Sequence, residues 1–329
     1  MKVLVLSPKE RYDRYAPDTA AFRAAELVFC DREGTAEEWL EAGSDAEALV
    51  VTPVTPITEK LISAMPRLKM IHCEGVGYDR IDLEAARKRG IYVCNNAGCN
   101  AGPVAELAIM MMTMLLRRII WGDQMVRIGG QGEAVRSLER APTLDLGLAS
   151  VGLIGFGAIA QATAKLLRAY GSRVYYYARH RRPEEVERQF GVEFLPLEQL
   201  LERCDIISLH LPATAESHHM VDGAFLRQMK KEAYLVNTAR GAVIDDAALC
   251  EAIRSGHLAG AALDAYMPEP VEKNHPLVQL AAEYPDRLVL CPHQGGLTEQ
   301  SFRNVYRMLF DNLGRVMDGK RPERIVNGL

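Results

Sequence analysis

The chain has 329 residues, of which 48% are hydrophobic and 25% are charged, a composition typical of a globular protein large enough for two domains. Its formal net charge of −4 argues against nucleic acid as a partner, because binding to phosphates requires excess positive charge. No apolar run approaches the ~18 residues of a membrane span, and MKVLVLSPKERYD becomes charged too early for a signal peptide, so a cytoplasmic protein without membrane contact is expected.

Short apolar runs alternate with amphipathic segments over residues 1–100. The strand-like runs are KVLVL, ELVFC, EALVV, LKMIHC and IYVCN. Segments such as TAEEWLEAG, ITEKLISAM and DLEAARKRG lie between them and have the periodicity of helices. This alternation predicts a parallel sheet covered by helices.

The alternation of strand-like and helical segments stops in the middle of the chain. The segment VAELAIMMMTMLLRRIIW is apolar on nearly every side, which predicts a long helix buried at a domain or subunit interface. Residues 122–147 follow it without a clear period and are interpreted as an irregular arm.

A second alternation begins near residue 149. Its strand-like runs are ASVGLIG, RVYYYA, CDIISLHLP, EAYLVNTA, LAGAALDAY and RLVLCPH. The tail TEQSFRNVYRMLFDNLGRVMDG is an amphipathic helix ending in glycine. Because this tail has no sheet of its own, it is expected to pack back on the first domain.

The segment VGLIGFGAIAQATAKLL contains the strongest chemical pattern. Gly155, Gly157 and Ala160 fit G-x-G-x-x-(G/A) between a strand-like run and a helical run. The first glycine permits a tight turn, the second lets a pyrophosphate approach the backbone, and the small third residue allows close helix–strand packing. Amides at the helix start, including those of Ala158 and Ile159, can then bind phosphate. The alternative is a tight turn without a ligand.

These patterns together predict an α/β protein with two doubly wound parallel-sheet domains. A Rossmann-type nucleotide domain over 101–296 is expected to be inserted in a flavodoxin-like substrate domain formed by 1–100 and 297–329.

The strand-like run VYYYA ends where an NAD-binding protein carries a carboxylate for the ribose hydroxyls. This chain has Ala178 there, followed by Arg179, His180, Arg181 and Arg182. A guanidinium group suits phosphate oxygens, whereas a carboxylate would repel a 2′-phosphate. The cluster therefore predicts NADP(H) as the preferred cofactor, with NAD(H) possible and Arg179 as the main phosphate ligand. The alternative is a solvated basic loop paired with glutamates of the next helix.

The glycine turn, VNTARG, LDAYMPEP and CPHQGG, in that order, resemble the D-isomer-specific 2-hydroxyacid dehydrogenase family. The similarity extends to GVGYDRIDLEAARKRGIYVCN, NAGPVAELA and HLPATAESHHMV, and so covers nearly the whole chain. The resemblance implies an oxidoreductase that interconverts a 2-oxo acid and a D-2-hydroxy acid. It also implies a homodimer with a dimerisation arm near 122–147.

By the same resemblance, Arg240 of NTARG binds the substrate, Glu269 of MPEP is the acid partner, and His293 of CPHQGG transfers the proton. These roles suit the chemistry, because hydride addition to a carbonyl carbon builds negative charge on oxygen that a protonated histidine can neutralise. A carboxylate bound to the far imidazole nitrogen stabilises the imidazolium. Taken singly, the three residues also fit a strand end, a turn and an ordinary loop histidine.

The resemblance assigns further residues to ligand binding. Gly75, Val76 and Gly77 resemble the loop whose amides bind the substrate carboxylate, with an ordinary turn as the alternative. The cofactor-binding residues that it adds to the glycine turn and the basic cluster are Pro212, Thr214, Thr238, Ala239, Asp264 and His293.

The segment TPVTPIT has no basic residue where phosphoglycerate dehydrogenases bind the substrate phosphate. The expected substrate is therefore a non-phosphorylated 2-oxo acid, either glyoxylate- or hydroxypyruvate-like or larger. The alternatives are an NAD-dependent phosphoglycerate-type dehydrogenase, a formate- or phosphite-type dehydrogenase, and a dinucleotide-binding corepressor-like protein without turnover. No metal site is predicted, since the seven cysteines are scattered and His218 and His219 are adjacent rather than at ligand spacing.

Overall fold

The computed structural model, which describes residues 1–141 and 143–329, contains two parallel β-sheets. Unit 1 comprises Met1–Asn100 with Leu297–Leu329, and unit 2 comprises Ala101–Gly296. Pro142, within the predicted arm, lies outside the described residues. No helix of the described residues has both the length and the apolar character needed to cross a membrane.

Unit 1 has a five-stranded sheet in the order β2-β1-β3-β4-β5 with every pair parallel. Its strands are β1 (Lys2–Val5), β2 (Glu26–Phe29), β3 (Ala48–Val51), β4 (Met70–Cys73) and β5 (Tyr92–Cys94). Each strand predicted over 1–100 is present. The central strands β3 and β4 are buried along their whole length, which explains why they read as continuous apolar runs rather than as alternating ones.

The helices of unit 1 cover both faces of this sheet. They are α1 (Lys9–Tyr15), α2 (Ala20–Ala24), α3 (Ala36–Gly43), α4 (Glu59–Ser63), α5 (Leu83–Lys88) and α15 (Glu299–Met317). On one face, Trp39 and Ile62 pack with Leu49 of the sheet. On the other, Tyr306 and Phe310 of α15 close the core, so the tail is part of unit 1.

Unit 2 has a seven-stranded parallel sheet in the order β12-β11-β10-β9-β6-β7-β8. Its strands are β6 (Ser150–Ile154), β7 (Arg173–Tyr177), β8 (Glu193–Phe194), β9 (Ile206–Leu209), β10 (Ala233–Asn237), β11 (Leu258–Leu263) and β12 (Leu288–Leu290). The two-residue edge strand β8 is too short to show an alternation and was not predicted. The strand order reverses at β6, and open α/β sheets bind ligands beyond the carboxyl ends of the strands at such a point. The predicted fold class is confirmed.

The helices of unit 2 are α6 (Ala101–Leu116), α7 (Ile119–Arg127), α8 (Gln131–Arg140), α9 (Ala158–Tyr170), α10 (Glu184–Phe190), α11 (Leu197–Arg203), α12 (Gly223–Gln228), α13 (Asp246–Arg254) and α14 (Pro276–Glu283). The apolar helix α6 lies within the core of unit 2, where Met111 and Leu115 pack with Leu167 of α9. The chain leaves α6 at Arg118, whose φ of 51° breaks the predicted long helix before α7.

The prediction that 122–147 is irregular was wrong, since α7 extends to Arg127 and α8 occupies Gln131–Arg140. Ala134, Val135 and Leu138 have the spacing of one helix face, but Ala134 is the only buried residue among them and Val135 is 47% exposed. The glutamine, glutamate, alanine, leucine and arginine residues of α8 are nevertheless good helix formers.

Candidate active site

Three predicted catalytic residues follow three neighbouring strands of unit 2. Arg240 comes after β10, Glu269 after β11 and His293 after β12. Because these strands are adjacent and parallel, their carboxyl ends lie along one edge of the sheet. The topology therefore brings together residues that are far apart in the chain.

His293 and Glu269 form a hydrogen-bonded pair. Nδ1 of His293 lies 2.8 Å from Oε2 of Glu269. The other carboxylate oxygen, Oε1, accepts a hydrogen bond of 2.8 Å from the backbone amide of Tyr266. Both carboxylate oxygens of Glu269 therefore accept hydrogen bonds. Because Nδ1 of His293 is hydrogen-bonded to Glu269, Nε2 is the imidazole nitrogen that can exchange a proton with a ligand.

Both members of this pair favour their charged forms. The hydrogen bond to Glu269 raises the pKa of His293, although burial acts in the opposite direction. Burial acts to raise the pKa of Glu269, but the hydrogen bonds from His293 and the Tyr266 amide outweigh it and lower that pKa. The pair is therefore an imidazolium and a carboxylate over the pH range between the two groups' ordinary pKa values.

Replacing Glu269 with glutamine is expected to lower the pKa of His293, because the imidazolium loses its negative partner. The pKa of His293 is to be measured by NMR titration of the imidazole. The protonated His293 stabilises the folded state through Glu269, and this contribution to the free energy of unfolding is lost as the pH rises through the raised pKa. The difference in the free energy of unfolding between the wild type and Glu269→Gln should therefore be larger at about pH 5.5 than at about pH 9. An unchanged His293 titration would contradict the pairing.

Asp264 holds the backbone next to His293. Its two carboxylate oxygens accept hydrogen bonds from the amides of Gln294 (2.8 Å) and Gly295 (2.9 Å). Burial raises the pKa of Asp264 in spite of these two amides. A Cβ on Gly295 would lie 3.0 Å from Oδ2 of Asp264, so the close approach favours glycine. Sequence reasoning assigned Asp264 to the cofactor alone and missed this support of the His293 segment.

The backbone around Arg240 is fixed by Asn237, a residue that sequence reasoning also missed. The side chain of Asn237 accepts from the amide of Ala239 (2.9 Å) and donates to the carbonyl of Arg240 (3.0 Å). A Cβ on Gly241 would lie 2.0 Å from the carbonyl carbon of Tyr266, so only glycine permits the two loops to touch. The Arg240 and Glu269 loops thus share a backbone contact.

The glycine turn after β6 has the geometry of a phosphate site. Gly155 has a φ of 90°, and a Cβ there would lie 2.3 Å from the carbonyl oxygen of His210. A Cβ on Gly157 would meet nothing within 4 Å, so the turn is open on that side. Among the described residues, no hydrogen bond is donated by the amides of Ala158 and Ile159 at the start of α9. These amides fit a dinucleotide pyrophosphate.

Two members of the basic cluster are held by the protein itself. Nε and Nη2 of Arg181 each lie 2.8 Å from a carboxylate oxygen of Glu187, and the Tyr176 hydroxyl donates to the same carboxylate at 2.7 Å. The hydrogen bond from Arg181 is the main cause of the lowered pKa of Glu187. Arg182 donates to the carbonyl of Phe156 at 3.2 Å.

The other two basic residues, Arg179 and His180, are exposed. Neither side chain makes a hydrogen bond or an ion pair within residues 1–141 and 143–329. They follow Ala178, which is partly buried and packs on the core beside α9. Arg179 is thus the arginine of the cluster without a hydrogen bond or ion pair among the described residues, although its charge acts on Glu216.

Two buried polar atoms lie at the ends of the neighbouring strands β9 and β10. Oγ1 of Thr238 and Nδ1 of His210 have no hydrogen-bond partner in the described part of the chain. Burial lowers the pKa of His210 to about 4, so its imidazole is neutral at pH 7. Pro212 and Thr214 lie in the next turn, which the Ser217 side chain closes. His210 was not predicted as a site residue, although it stands in the quoted HLP segment.

In unit 1, the Gly-Val-Gly loop 75–77 is tied down by its carbonyl oxygens. These accept hydrogen bonds from the amide of Asn96 (2.9 Å), the side chain of Asn95 (2.7 Å) and the thiol of Cys73 (3.0 Å). The loop amides donate no hydrogen bond among the residues that the structure describes. A Cβ on the first glycine would lie 2.2 Å from Cγ of Pro53, which excludes other residues. The loop is suited to bind an anion through its amides.

Comparisons with known proteins agree with this geometry. Residues 109–295 match the family described as "D-isomer specific 2-hydroxyacid dehydrogenase, NAD binding domain". Over 292 residues the chain is 37% identical to the glyoxylate reductase of Korarchaeum cryptofilum. The match covers 88% of this chain and 85% of that reductase. The TT0316 protein of Thermus thermophilus has a TM-score of 0.83 at 35% identity, covering 99% and 100% of the two chains. The D-mandelate dehydrogenase of Rhodotorula graminis has a TM-score of 0.85 at 26% identity, covering 99% and 97%.

Proposed function

The chain belongs to the D-isomer specific 2-hydroxyacid dehydrogenase family, and we propose that it reduces a small, non-phosphorylated 2-oxo acid to the D-2-hydroxy acid with NADPH as the preferred cofactor. As a member of this family it is an NAD(P)-dependent oxidoreductase. The observation that carries the proposed chemistry is the 2.8 Å hydrogen bond between His293 and Glu269.

The nicotinamide dinucleotide, when bound, supplies the hydride for the carbonyl carbon of the substrate. His293 donates the proton from Nε2 to the carbonyl oxygen, which becomes the hydroxyl, and is left neutral. Glu269 stabilises the imidazolium before that transfer and holds its orientation. Arg240 binds the substrate carboxylate and polarises the carbonyl group. Within unit 1, the amides of loop 75–77 are proposed to bind an anionic group.

The dinucleotide would be held by residues that fit it. The amides of Ala158 and Ile159 would bind the pyrophosphate. The remaining proposed contacts on unit 2 are the turn at Pro212 and Thr214 and the Thr238 hydroxyl, which has no hydrogen-bond partner among the described residues.

The substrate class is tested by the rate of reduced-cofactor consumption over a panel of acids. The panel contains glyoxylate, hydroxypyruvate, pyruvate, 2-oxoisocaproate, phenylpyruvate and 3-phosphohydroxypyruvate. A small 2-oxo acid is favoured by the similarity to a glyoxylate reductase, and a larger aromatic one by the similarity to D-mandelate dehydrogenase. Reduction of the phosphorylated acid alone would overturn the proposal in favour of a phosphoglycerate-type enzyme. Cofactor binding without any turnover would favour a corepressor-like role.

Replacing Arg179 with alanine is expected to weaken NADPH binding about 10- to 100-fold, the loss of one or two charge-assisted hydrogen bonds to the 2′-phosphate. NADH binding should change far less, because NADH has no such phosphate. Both dissociation constants are to be measured by fluorescence titration. Arg188→Ala is the matched control, since it removes an exposed arginine from the neighbouring α10. Equal losses for both cofactors would refute Arg179 as the phosphate ligand.

We also propose a homodimer formed through the arm of unit 2. The arm carries exposed apolar side chains, including Val126 (59% exposed) and Ile128 (78% exposed), which a second copy would cover. The double substitution Val126→Asp and Ile128→Asp should shift the molar mass in light scattering from dimer to monomer. Val54→Asp, at an exposed valine of unit 1, should leave the dimer intact. A wild-type monomer would refute the proposal.

A further inference from the structure

The loop that presents Glu269 is exposed, yet its carboxylate is held at hydrogen-bond distance from His293. Residues 267–270 are all exposed, and the loop joins β11 to α14. The amide of Tyr266 fixes one carboxylate oxygen from one end of this loop. A second support acts on the next residue of the loop, Met267, whose carbonyl oxygen has a hydrogen-bond partner.

That support is His275, a buried residue at the start of α14. Its Nδ1 accepts the amide of Leu277 at 3.4 Å and so caps the helix. Because Nδ1 accepts, the proton of the neutral ring is on Nε2. Nε2 lies 3.3 Å from the carbonyl oxygen of Met267, in the Glu269 loop, and 3.2 Å from Oδ2 of Asp246.

Asp246 is placed to orient this imidazole. It is the first residue of α13, but the cap of that helix is Asp245, whose side chain accepts the amides of Ala247 and Ala248. The Asp246 carboxylate is therefore available to His275 rather than committed to the helix terminus. Burial raises the pKa of Asp246.

We propose that Asp246 and His275 are positioning residues for Glu269. The single Nε2–H of His275 donates to the Met267 carbonyl, and the Asp246 carboxylate beside the same nitrogen attracts this N–H and so orients the ring. The loop thereby keeps Glu269 against His293. This pair would act on the reaction through Glu269 without touching the substrate. Only the expected effect on kcat rests on the proposed function. Sequence reasoning placed neither residue in the site.

The first test is His275→Asn. Asparagine still caps α14 but is too short to reach both the Met267 carbonyl and Asp246. The expected results are a fall in kcat of about tenfold or more through misplacement of Glu269, an unchanged dissociation constant for the cofactor, and a lowered pKa of His293 by NMR. Asp246→Asn should act in the same direction. His257→Asn is the matched control, because the ring of His257 also contacts a backbone carbonyl, Leu226, at 2.8 Å.

The route through Glu269 is tested by a double-mutant cycle. Once Glu269 is glutamine, adding His275→Asn should lower neither kcat nor the His293 pKa any further. If His275→Asn lost thermal stability while kcat and the His293 pKa stayed at wild-type values, His275 would act only as a helix cap. That result would overturn the proposal. The NMR titration needs no substrate, so it separates this inference from the proposed function: an inactive wild type would refute the latter alone.

Discussion

Replacing His293 with alanine is expected to lower kcat for 2-oxo acid reduction about 10²- to 10⁴-fold, the usual contribution of a general acid. The imidazole is the proposed proton source for the developing alkoxide, and its hydrogen bond with Glu269 raises its pKa, which favours the protonated form. Cofactor binding should be retained, because the glycine turn and the strands of unit 2 remain. The measurements are steady-state kinetics with the best acid of the panel and a cofactor titration.

His257→Ala is the control for that substitution. His257 is a half-buried histidine of the same unit whose ring contacts the Leu226 carbonyl, and it has no proposed part in the reaction. Its loss should leave kcat close to the wild-type value. Near-normal turnover by His293→Ala would remove this histidine from the mechanism and leave solvent as the proton source.

Replacing Arg240 with alanine is expected to lower kcat/KM about 10²- to 10³-fold, the cost of removing a preorganised group that stabilises developing negative charge. Arg240→Lys should recover only part of this loss, because lysine keeps the charge but cannot bind a carboxylate through two parallel hydrogen bonds. The two variants separate the contribution of charge from that of the planar guanidinium.

Arg254→Ala is the matched control, because Arg254 lies on α13 of the same unit and is ion-paired with Glu283 at 3.5 Å. It should change kcat/KM little. If Arg240→Lys were as active as the wild type, bidentate binding of the carboxylate would be the wrong description. If Arg240→Ala raised KM without lowering kcat, the arginine would bind the substrate and its transition state equally.

The basic cluster illustrates how far the sequence can assign a cofactor. Of the four consecutive basic residues 179–182, Arg179 was predicted as the main phosphate ligand, with a solvated basic loop as the alternative. In the structure, Arg181 is committed to Glu187 and Arg182 to a carbonyl, which leaves Arg179 as the arginine without a hydrogen bond or ion pair among the described residues. The preference for NADPH remains a prediction that depends on Arg179.

The arm contains a helix that the sequence analysis did not predict. Its helix α8 was missed because only three apolar residues, Ala134, Val135 and Leu138, mark its one apolar face within a mainly polar ten-residue segment. The long apolar helix α6 was recognised, but its burial was assigned to an interface rather than to the core of unit 2. An apolar sequence indicates that a helix is buried, but it does not indicate which part of the protein buries it, because the fold decides that.

The sequence by itself determined the fold class, the family and the order of the site motifs. These depend on local patterns: apolar strands at regular spacing, a glycine turn between a strand and a helix, and contiguous motifs at strand ends. Only the tertiary structure decided which polar groups pair, namely Asp264 with the amides after His293 and His275 with Asp246 and the Met267 carbonyl. The physical reason is that the energy of a polar side chain depends on its burial and its partner, and both are supplied by segments distant in the chain.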